Sequence, residues 1–465
     1  MNNSEDLRQS KENDFGVAPV RINEFFSDLR GRLSLIAHAS AVEDLLKSSD
    51  FEGINKREFL YKPYLVIGDP GIGKTEGVKS SIEKVNRALR EEGNPIQFGY
   101  KELVLGQKLV GALDGIPVAM EDEQGNIRTI RADELPDEER DGKYGVFFLD
   151  EITTADVQQM QPAMSLTDAR RSIGSYKLPD GWLVVGAGNG PQWDNFMRLD
   201  TAMITRFITY NVYTTYEDWK EYAIERKVNP YILAYLDWKN EAFTNPATEE
   251  ENMERRENLG TAYAVGRTWI SFDLELKRMC VLKTIKEGKT KVPSDYFAVL
   301  TLEDFLEAGN KAPLGSSTVQ DLVAFVKFRD SIPQDITPDA VLSGKVKTMP
   351  ENTSAQVTHL LLATVTDELY RRLRQAHDGT TENLKTASDW TDADVQMFAN
   401  CLNFFLSSAQ MEVIVTTLVQ SITKIPNLRL LFVDQRLDSA SPIWTQVLAD
   451  RADDLLEIIS ASEAI

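Results

Sequence analysis

The sequence predicts an α/β fold for the first half of this chain and an α-helical fold for the second half. Between about residues 58 and 212, short apolar runs alternate with helical patterns. That alternation is typical of a mainly parallel sheet with helices on both faces. From about residue 214 to residue 465, apolar residues recur at helical spacing and no strand pattern follows. A five-stranded sheet, a small helical domain and a further mostly α-helical C-terminal region are therefore expected.

The chain divides into four expected parts. These are a polar tail with a helix over 1–55, an α/β core over 56–213, a helical domain over 214–287 and an α-helical C-terminal domain over 288–465. The core strands are expected at Leu60–Ile67, Ile96–Tyr100, Val146–Leu149, Leu183–Ala187 and Phe207–Tyr213. Because ligands of parallel sheets bind beyond the carboxyl ends of the strands, the residues after those ends are the candidate site.

A glycine-rich loop follows the first core strand and precedes a helix expected from Thr75 to about Arg90. It matches the phosphate-binding pattern G-x-x-x-x-G-K-[ST], which requires this order of strand, loop and helix. The candidate nucleotide contacts are Gly68, Asp69, Pro70, Gly71, Ile72, Gly73, Lys74, Thr75 and Glu76. The loop amides can surround a polyphosphate, Lys74 can reach its β- and γ-phosphates, and the Thr75 hydroxyl can bind Mg²⁺. The alternative is an ordinary glycine-rich turn.

Two acids end the apolar strand Val146–Leu149. Asp150 can hold the hydration shell of Mg²⁺, and Glu151 can orient or deprotonate a water that attacks a γ-phosphate. Acids often end strands without a catalytic role, so the catalytic interpretation depends on the phosphate loop, whose Lys74 lies 76 residues before Asp150. Together the two motifs predict a catalytic site that uses ATP and Mg²⁺.

Two polar residues complete the candidate catalytic set. Asn189 ends the strand Leu183–Ala187 and its flanking glycines, where its amide could align the attacking water; a turn-forming Asn is the alternative. Arg206 ends a short helical pattern, and a guanidinium there could neutralise charge on the transferred phosphoryl group. Arg198 competes for that role, and a plain salt bridge is the other interpretation.

On these motifs the chain resembles a MoxR-type AAA+ ATPase over roughly residues 55–285. The resemblance rests on Gly68–Thr75, Leu149–Ile152, Gly186–Asn189, Ile204–Phe207 and Gly266–Trp269. It implies, in that order, Walker A, Walker B, sensor 1, an arginine finger and sensor 2, within an AAA+ core followed by a helical lid. Arg267 would be the sensor 2 arginine, acting on nucleotide in its own or a neighbouring subunit. Two hairpins, near 115–135 and 170–182, would face partner or substrate.

The sequence departs from this family at two points. Thr153 and Thr154 follow the Walker B acids, where the family commonly has an Asn-Arg pair. Val265 and Gly266 precede Arg267, where the family usually has proline before the arginine.

Charge and composition limit the function classes. With 51 Lys+Arg against 72 Asp+Glu, the net charge of −21 repels nucleic acid and anionic lipid. The two cysteines, Cys280 and Cys401, are expected to be buried free thiols, and the three histidines form no metal-ligand pattern. No apolar run reaches the ~18 residues that a membrane span needs. A cytoplasmic protein is expected.

Three functions remain open on the sequence alone. The first is an ATP-hydrolysing remodelling motor for a protein client; the resemblance implies a hexameric ring and a partner with a von Willebrand factor A domain. A DNA-directed motor is the second, with a local basic pore from Arg128, Arg131, Arg170, Arg171 and Lys177. The third is a nucleotide-gated scaffold whose helical C-terminal region binds a partner.

Overall fold

The structure is a computed structural model. It describes residues 17–47, 53–107, 116–119, 127–130, 133–168, 170–174, 176–191, 196–197, 199, 201–243, 264–292, 296–377, 381, 384, 386–408, 414–416, 418–419, 422, 427–451 and 455. These residues form two compact units. The described residues up to Thr215 belong to the first unit, and those from Tyr216 onwards belong to the second. The finer division of the second unit at residue 287 stays a prediction.

A parallel six-stranded sheet forms the centre of the first unit. Its strands are β1 (Pro19–Arg21), β2 (Tyr64–Gly68), β3 (Phe98–Val104), β6 (Tyr144–Asp150), β9 (Gly181–Gly188) and β10 (Ile208–Tyr213). They lie side by side in the order β1-β10-β2-β9-β6-β3. The sheet buries β2 and β9 along their full length, as expected for continuous apolar runs covered on both faces. The α/β class is confirmed.

Three local expectations for this unit are wrong. The sheet has a sixth strand, β1, which pairs only with β10 at the edge of the sheet. The sequence does not predict it, because three residues are too few to show an alternating pattern. Leu60 lies in a short helix, α3 (Lys56–Tyr61), which Asn55 caps. The helix expected within residues 1–55 is two helices, α1 (Ile22–Ala37) and α2 (Ala39–Lys47), separated at His38.

Helices cover both faces of the sheet. On one face, α1 and α2 pack with α4 (Lys74–Glu91), the helix that follows the glycine loop. Residues from α6 (Val157–Ser165) pack on the other face. α1 packs against α4 so closely that a Cβ atom on Gly77 would overlap the Phe26 ring. Helices α1 and α2 are thus part of the core of the first unit.

Two small hairpins interrupt the core between its strands. The first pairs β4 (Ile116–Ala119) with β5 (Ile127–Ile130), and the second pairs β7 (Ser172–Ile173) with β8 (Tyr176–Lys177). A four-residue helix, α5 (Glu138–Asp141), lies between them in the chain. The α7 helix (Thr201–Ile204) precedes β10. Both hairpins occur where the sequence predicts them; whether they contact a partner stays a prediction.

In its described residues, the second unit is built from helices. They are α8 (Tyr216–Glu225), α9 (Pro230–Trp238), α10 (Gly266–Lys286), α11 (Leu302–Gly309), α12 (Ser316–Val326), α13 (Pro338–Leu342), α14 (Ala355–Ala376), α15 (Asp392–Leu406), α16 (Arg429–Phe432), α17 (Arg436–Ala440) and α18 (Pro442–Asp450). Capping boxes begin α11, at Thr301, and α15, at Thr391. The expected helix Val413–Ile422 falls partly outside the described residues.

Two apolar clusters form the core of the second unit. Both cysteines are free and buried in it, as the sequence predicts, and burial raises the pKa of the Cys401 thiol to about 12. Across the described part of the chain, no helix combines the length and the apolar character that crossing a membrane would require.

Candidate functional site

The glycine loop turns the chain from β2 directly into α4. Gly71 has φ 80° and Gly73 has φ 99°, a left-handed region that side-chain-bearing residues seldom adopt. Helix α4 begins at Lys74, and the first intrahelical bond runs from the Gly77 N–H to the Gly73 carbonyl at 2.8 Å. The first backbone N–H groups of a helix have no acceptor within the helix. Such a helix start favours an anion.

Lys74 lies inside the loop and is only 9% exposed. Its ammonium group donates to the carbonyl oxygens of Gly68 at 2.8 Å and Asp69 at 2.9 Å. It also donates to Oδ1 of Asn189 at 3.3 Å. These three acceptor oxygens are neutral, and an ammonium in this position would attract a phosphate bound in the loop.

Thr75 and Asp150 meet beside Lys74. The Thr75 hydroxyl donates to Oδ2 of Asp150 at 3.1 Å, which joins the start of α4 to the end of β6. Strands β2, β9 and β6 are neighbours in the sheet, so their carboxyl ends bring these residues and Asn189 to one place. The structure therefore brings together Lys74, Thr75, Asp150 and Asn189, although the sequence separates them by up to 115 positions.

Glu151 has an unusual backbone conformation. Its φ is 55°, in the left-handed region, and its N–H donates to Oδ1 of Asp150 at 2.8 Å. A Cβ atom on Gly106 would lie 3.4 Å from Oε2 of Glu151 and 2.5 Å from Oγ1 of Thr154. The absence of a side chain at residue 106 leaves room for the Thr154 hydroxyl beside Glu151. Strained residues of this kind are concentrated at functional sites.

Thr153 and Thr154 connect the acids to the neighbouring strand. Oγ1 of Thr153 accepts from the Asn189 N–H at 2.9 Å, and the Thr154 hydroxyl donates to the Glu151 carbonyl at 2.9 Å. Gly188 leaves room for Thr153, because a Cβ atom there would lie 2.6 Å from its side chain. Sequence reasoning treated both threonines only as a departure from a family pattern. Hydroxyl side chains directly after a strand-terminal acid are the signal that would have found them.

The remaining loop positions surround this centre. Asp69 and Ile72 are buried, and Pro70 is half-buried. Glu76 is exposed on the first turn of α4, and its carboxylate lies 3.9 Å from the ammonium of Lys79. Their contacts with nucleotide stay predictions.

Three arginines are candidates for contact with the nucleotide: Arg198, Arg206 and Arg267. Arg206 is exposed, and its Nη1 donates to the Met164 carbonyl at 3.4 Å. Arg198 lies outside the described residues. Arg267 belongs to the second unit, where it is exposed at the second position of α10. The roles of these arginines stay predictions.

Arg171, one of the arginines expected in a basic pore, is buried and bonds to the backbone instead. Arg171 is 5% exposed, and its guanidinium donates to the backbone carbonyls of Asp180 and Trp182. Burial lowers the pKa of Arg171 to about 10. Arg170 is exposed and pairs with Asp168 at 3.0 Å, while the side chain of Arg128 and all of Arg131 lie outside the described residues. A DNA-facing role for Arg171 is therefore wrong, because its charge is used inside the hairpin.

The donor set fits a nucleoside triphosphate with Mg²⁺. Mg²⁺ prefers hard oxygen ligands, and the Thr75 hydroxyl and the Asp150 carboxylate supply two that are 3.1 Å apart. The buried ammonium of Lys74 and the N-terminus of α4 supply the positive charge that phosphates need. This chemistry favours a phosphate-bearing ligand and one metal ion.

No family model matches the chain, and no curated protein matches it. Solved structures that align with it include Hsp104 with ATPγS and FITC-casein, at 14% identity and a TM-score of 0.32. That alignment covers 57% of this chain and 48% of the other, so the chain spans about half of Hsp104. PCH-2 of C. elegans aligns at 14% identity and TM-score 0.29, over 67% of this chain and 69% of its own. The FIGL-1 AAA domain in complex with ADP aligns at 18% and 0.25, over 59% and 79%.

Proposed function

We propose that this chain is an AAA+ ATPase that binds ATP with Mg²⁺ in the loop Gly68–Thr75 and hydrolyses it. One observation carries the proposal: the ends of three adjacent parallel strands, β2, β9 and β6, bring a buried ammonium, a hydroxyl, a carboxylate and an amide together. These groups match the needs of phosphoryl transfer, which depends mostly on positioning and on stabilisation of charge.

Each residue has a distinct part in this proposal. Thr75 and Asp150 would hold Mg²⁺, which, when bound, offsets the negative charge of the β- and γ-phosphates. Lys74 binds the same phosphates through its ammonium. Glu151 accepts the proton of the attacking water, and Asn189 orients that water by a hydrogen bond. The hydrogen bonds of Thr153 to the Asn189 N–H and of Thr154 to the Glu151 carbonyl support this division of roles, because two consecutive residues hold the backbones of both positions.

The decisive experiment separates binding from hydrolysis. Glu151→Gln keeps the size of the side chain and removes the base, so we expect turnover to fall by roughly 10²- to 10⁴-fold while ATP still binds. Glu83→Gln, the same change at an exposed position of α4, should leave both unchanged. Binding is measured with a fluorescent ATP analogue and turnover by phosphate release. Wild-type turnover in Glu151→Gln would refute the assigned role.

At a finer level, we propose a ring-forming motor of the MoxR type that remodels a protein client, with a von Willebrand factor A domain partner. The sequence motifs around Arg206 and Arg267 support it, and the exposure of both residues is what contact with a neighbouring subunit requires. The net charge of −21 favours a protein client over DNA.

Subunit mixing tests the ring. Lys74→Met and Arg206→Ala are each expected to be inactive alone. If Arg206 acts on the nucleotide of a neighbour, a mixture of the two variants forms some interfaces with an intact loop and an intact arginine, so activity returns. A mixture as inactive as its components would argue against action between subunits. The control mixes Lys74→Met with Glu225→Gln in place of Arg206→Ala. Its activity should be that of the Glu225→Gln subunits alone.

A further inference from the structure

A second layer of charged residues lies next to the Thr75–Asp150 contact, between α4 and β3. Lys79 follows Thr75 by one helical turn, so both lie on the same face of α4. Tyr100 and Glu102 alternate along β3 and share one face of the sheet. Val104 pairs with Asp150 and Glu102 pairs with Phe148 in the parallel register. Phe148 precedes Asp150 by two residues, so Glu102 lies on the same face of the sheet as Asp150, the proposed metal ligand.

These residues form one connected network. The Lys79 ammonium lies 3.2 Å from Oε2 of Glu102 and 4.9 Å from the centre of the Tyr100 ring. The Tyr100 hydroxyl donates to the same Oε2 at 3.0 Å. Glu76 adds a weaker contact, with its Oε1 3.9 Å from Lys79. Oε2 of Glu102 thus accepts a hydrogen bond from the Tyr100 hydroxyl and forms an ion pair with the Lys79 ammonium.

The pKa of Tyr100 shows that the charges of this network and of the proposed metal site reach the same place. Burial raises the pKa of the Tyr100 phenol strongly, and the negative charges of Glu102, Asp150 and Glu76 raise it further. The negative charges of three carboxylates therefore act on one phenol, and one of these carboxylates, Asp150, is the proposed Mg²⁺ ligand. Lys79 pairs with two of them, Glu102 and Glu76.

We propose that Lys79 and Glu102 are positioning residues that set the Mg²⁺ requirement of nucleotide binding by balancing charge beside Asp150. The inference rests on the proposed function of the loop. Without Lys79, the local field is more negative, so Mg²⁺ binds more tightly and a metal-free nucleotide binds less tightly. Without Glu102, the ammonium is uncompensated and both effects reverse. The two substitutions therefore act in opposite directions.

The expected shifts are moderate. The side chains of Lys79 and Glu102 are 38% and 30% exposed, so water and salt screen their charges. We expect each single substitution to change the Mg²⁺ concentration at half-saturation by about three- to tenfold. The shifts should shrink as salt is added, since screening reduces the effect of each charge.

The test measures binding of a fluorescent ATP analogue during Mg²⁺ titration, together with its binding in EDTA. Lys79→Met should lower the half-saturating Mg²⁺ and weaken binding in EDTA, and Glu102→Gln should do the opposite. The double variant should return close to wild type because the charge balance is restored. Tyr100→Phe removes a hydrogen bond without a change of charge, so its Mg²⁺ requirement should stay close to that of wild type. Lys79→Arg keeps the charge and should behave as wild type.

Melting temperatures of the nucleotide-free variants separate folding from binding. A merely structural network predicts that both single variants lose stability and shift the Mg²⁺ requirement in the same direction, and that result would overturn the inference. Unchanged Mg²⁺ requirements in folded variants of a protein that binds ATP would overturn it too. A wild-type protein that binds no ATP at any Mg²⁺ concentration would instead refute the proposed function, and this inference with it.

Discussion

Two buried lysines, one in each unit, show how this molecule uses charge in different ways. Lys74 is 9% exposed and donates to two backbone carbonyls and an amide oxygen, all neutral. Lys220 is 6% exposed and donates to both carboxylate oxygens of Asp237, at 2.6 and 2.9 Å. These three acceptors of Lys74 carry no charge, whereas the acceptor of Lys220 is a carboxylate. Burial of a lysine alone therefore does not identify a site; the charge of its partners does.

The second unit repeats this pattern of internal pairing. Asp273 is buried and pairs with Lys277 at 2.6 Å, while Asp394 accepts from Thr391 and contacts His377 at 2.9 Å. In the first unit, by contrast, Asp150 contacts a hydroxyl and a backbone amide at the end of a strand. The proposed chemistry thus lies at the strand ends of the first unit, whereas these buried acids of the second unit are paired with side chains of that unit.

The largest expected effect compares the two lysines directly. Lys220→Met leaves the Asp237 carboxylate buried without its ammonium, so we expect a loss of about 3–5 kcal/mol in the free energy of unfolding of the second unit. Lys74→Met should change the free energy of unfolding of the first unit much less than this and weaken ATP binding by roughly 10- to 100-fold. Urea unfolding and nucleotide titration measure the two quantities. Equal losses of stability in both variants would contradict the distinction.

The contact between α1 and α4 gives the next effect. A methyl group at Gly77 would overlap the Phe26 ring, so Gly77→Ala should destabilise the first unit by about 1–3 kcal/mol. Gly31, in α1, has no neighbouring atom within 4 Å of such a methyl group. Gly31→Ala should therefore stabilise the protein by about 1 kcal/mol, since alanine favours helix. Urea unfolding measures both; destabilisation by Gly31→Ala as well would mean that packing at Gly77 is not the cause.

A carboxyl group in the second unit predicts a pH dependence of similar or smaller size. Burial, with a contribution from Glu368, raises the pKa of Asp367 to about 6. The folded state then holds this proton more tightly than the unfolded state, so stability falls as the pH rises towards that value. Asp367→Asn should add about 1–3 kcal/mol at about pH 8 and much less at about pH 4. Asp335→Asn, at an exposed position, is the control. A gain that is the same at both pH values would argue against ionisation as its source.

The smallest expected effect concerns the position of Glu151. A methyl group at Gly106 would lie 2.5 Å from Oγ1 of Thr154, whose hydroxyl donates to the Glu151 carbonyl. Gly106→Ala should therefore displace Glu151 and lower ATP turnover by about tenfold, with ATP binding unchanged. Thr154→Val, which removes the hydrogen bond alone, should have a smaller effect in the same direction. Turnover equal to wild type in Gly106→Ala would show that this loop does not position Glu151.

Local sequence patterns predicted which residues follow the strand ends, but not the residues that pack around them. The loop and the acids could be found because phosphate binding demands fixed residue types at fixed spacing around a strand and a helix. The same reasoning missed Gly106 and Thr153, because their importance lies in neighbours on other strands. It also assigned Arg171 to a surface, because sequence does not reveal that a guanidinium folds back onto carbonyl groups of its own hairpin.

The sequence by itself determined the α/β class, the loop from Gly68 to Thr75 and the acids at the end of β6, since each depends on residues close together in the chain. Only the tertiary structure decided the strand order, the sixth strand β1, the Phe26–Gly77 contact and the network of Lys79 with Glu102. These features depend on which distant segments pack side by side. That choice follows from the total burial of apolar surface in the folded chain, which no single segment encodes.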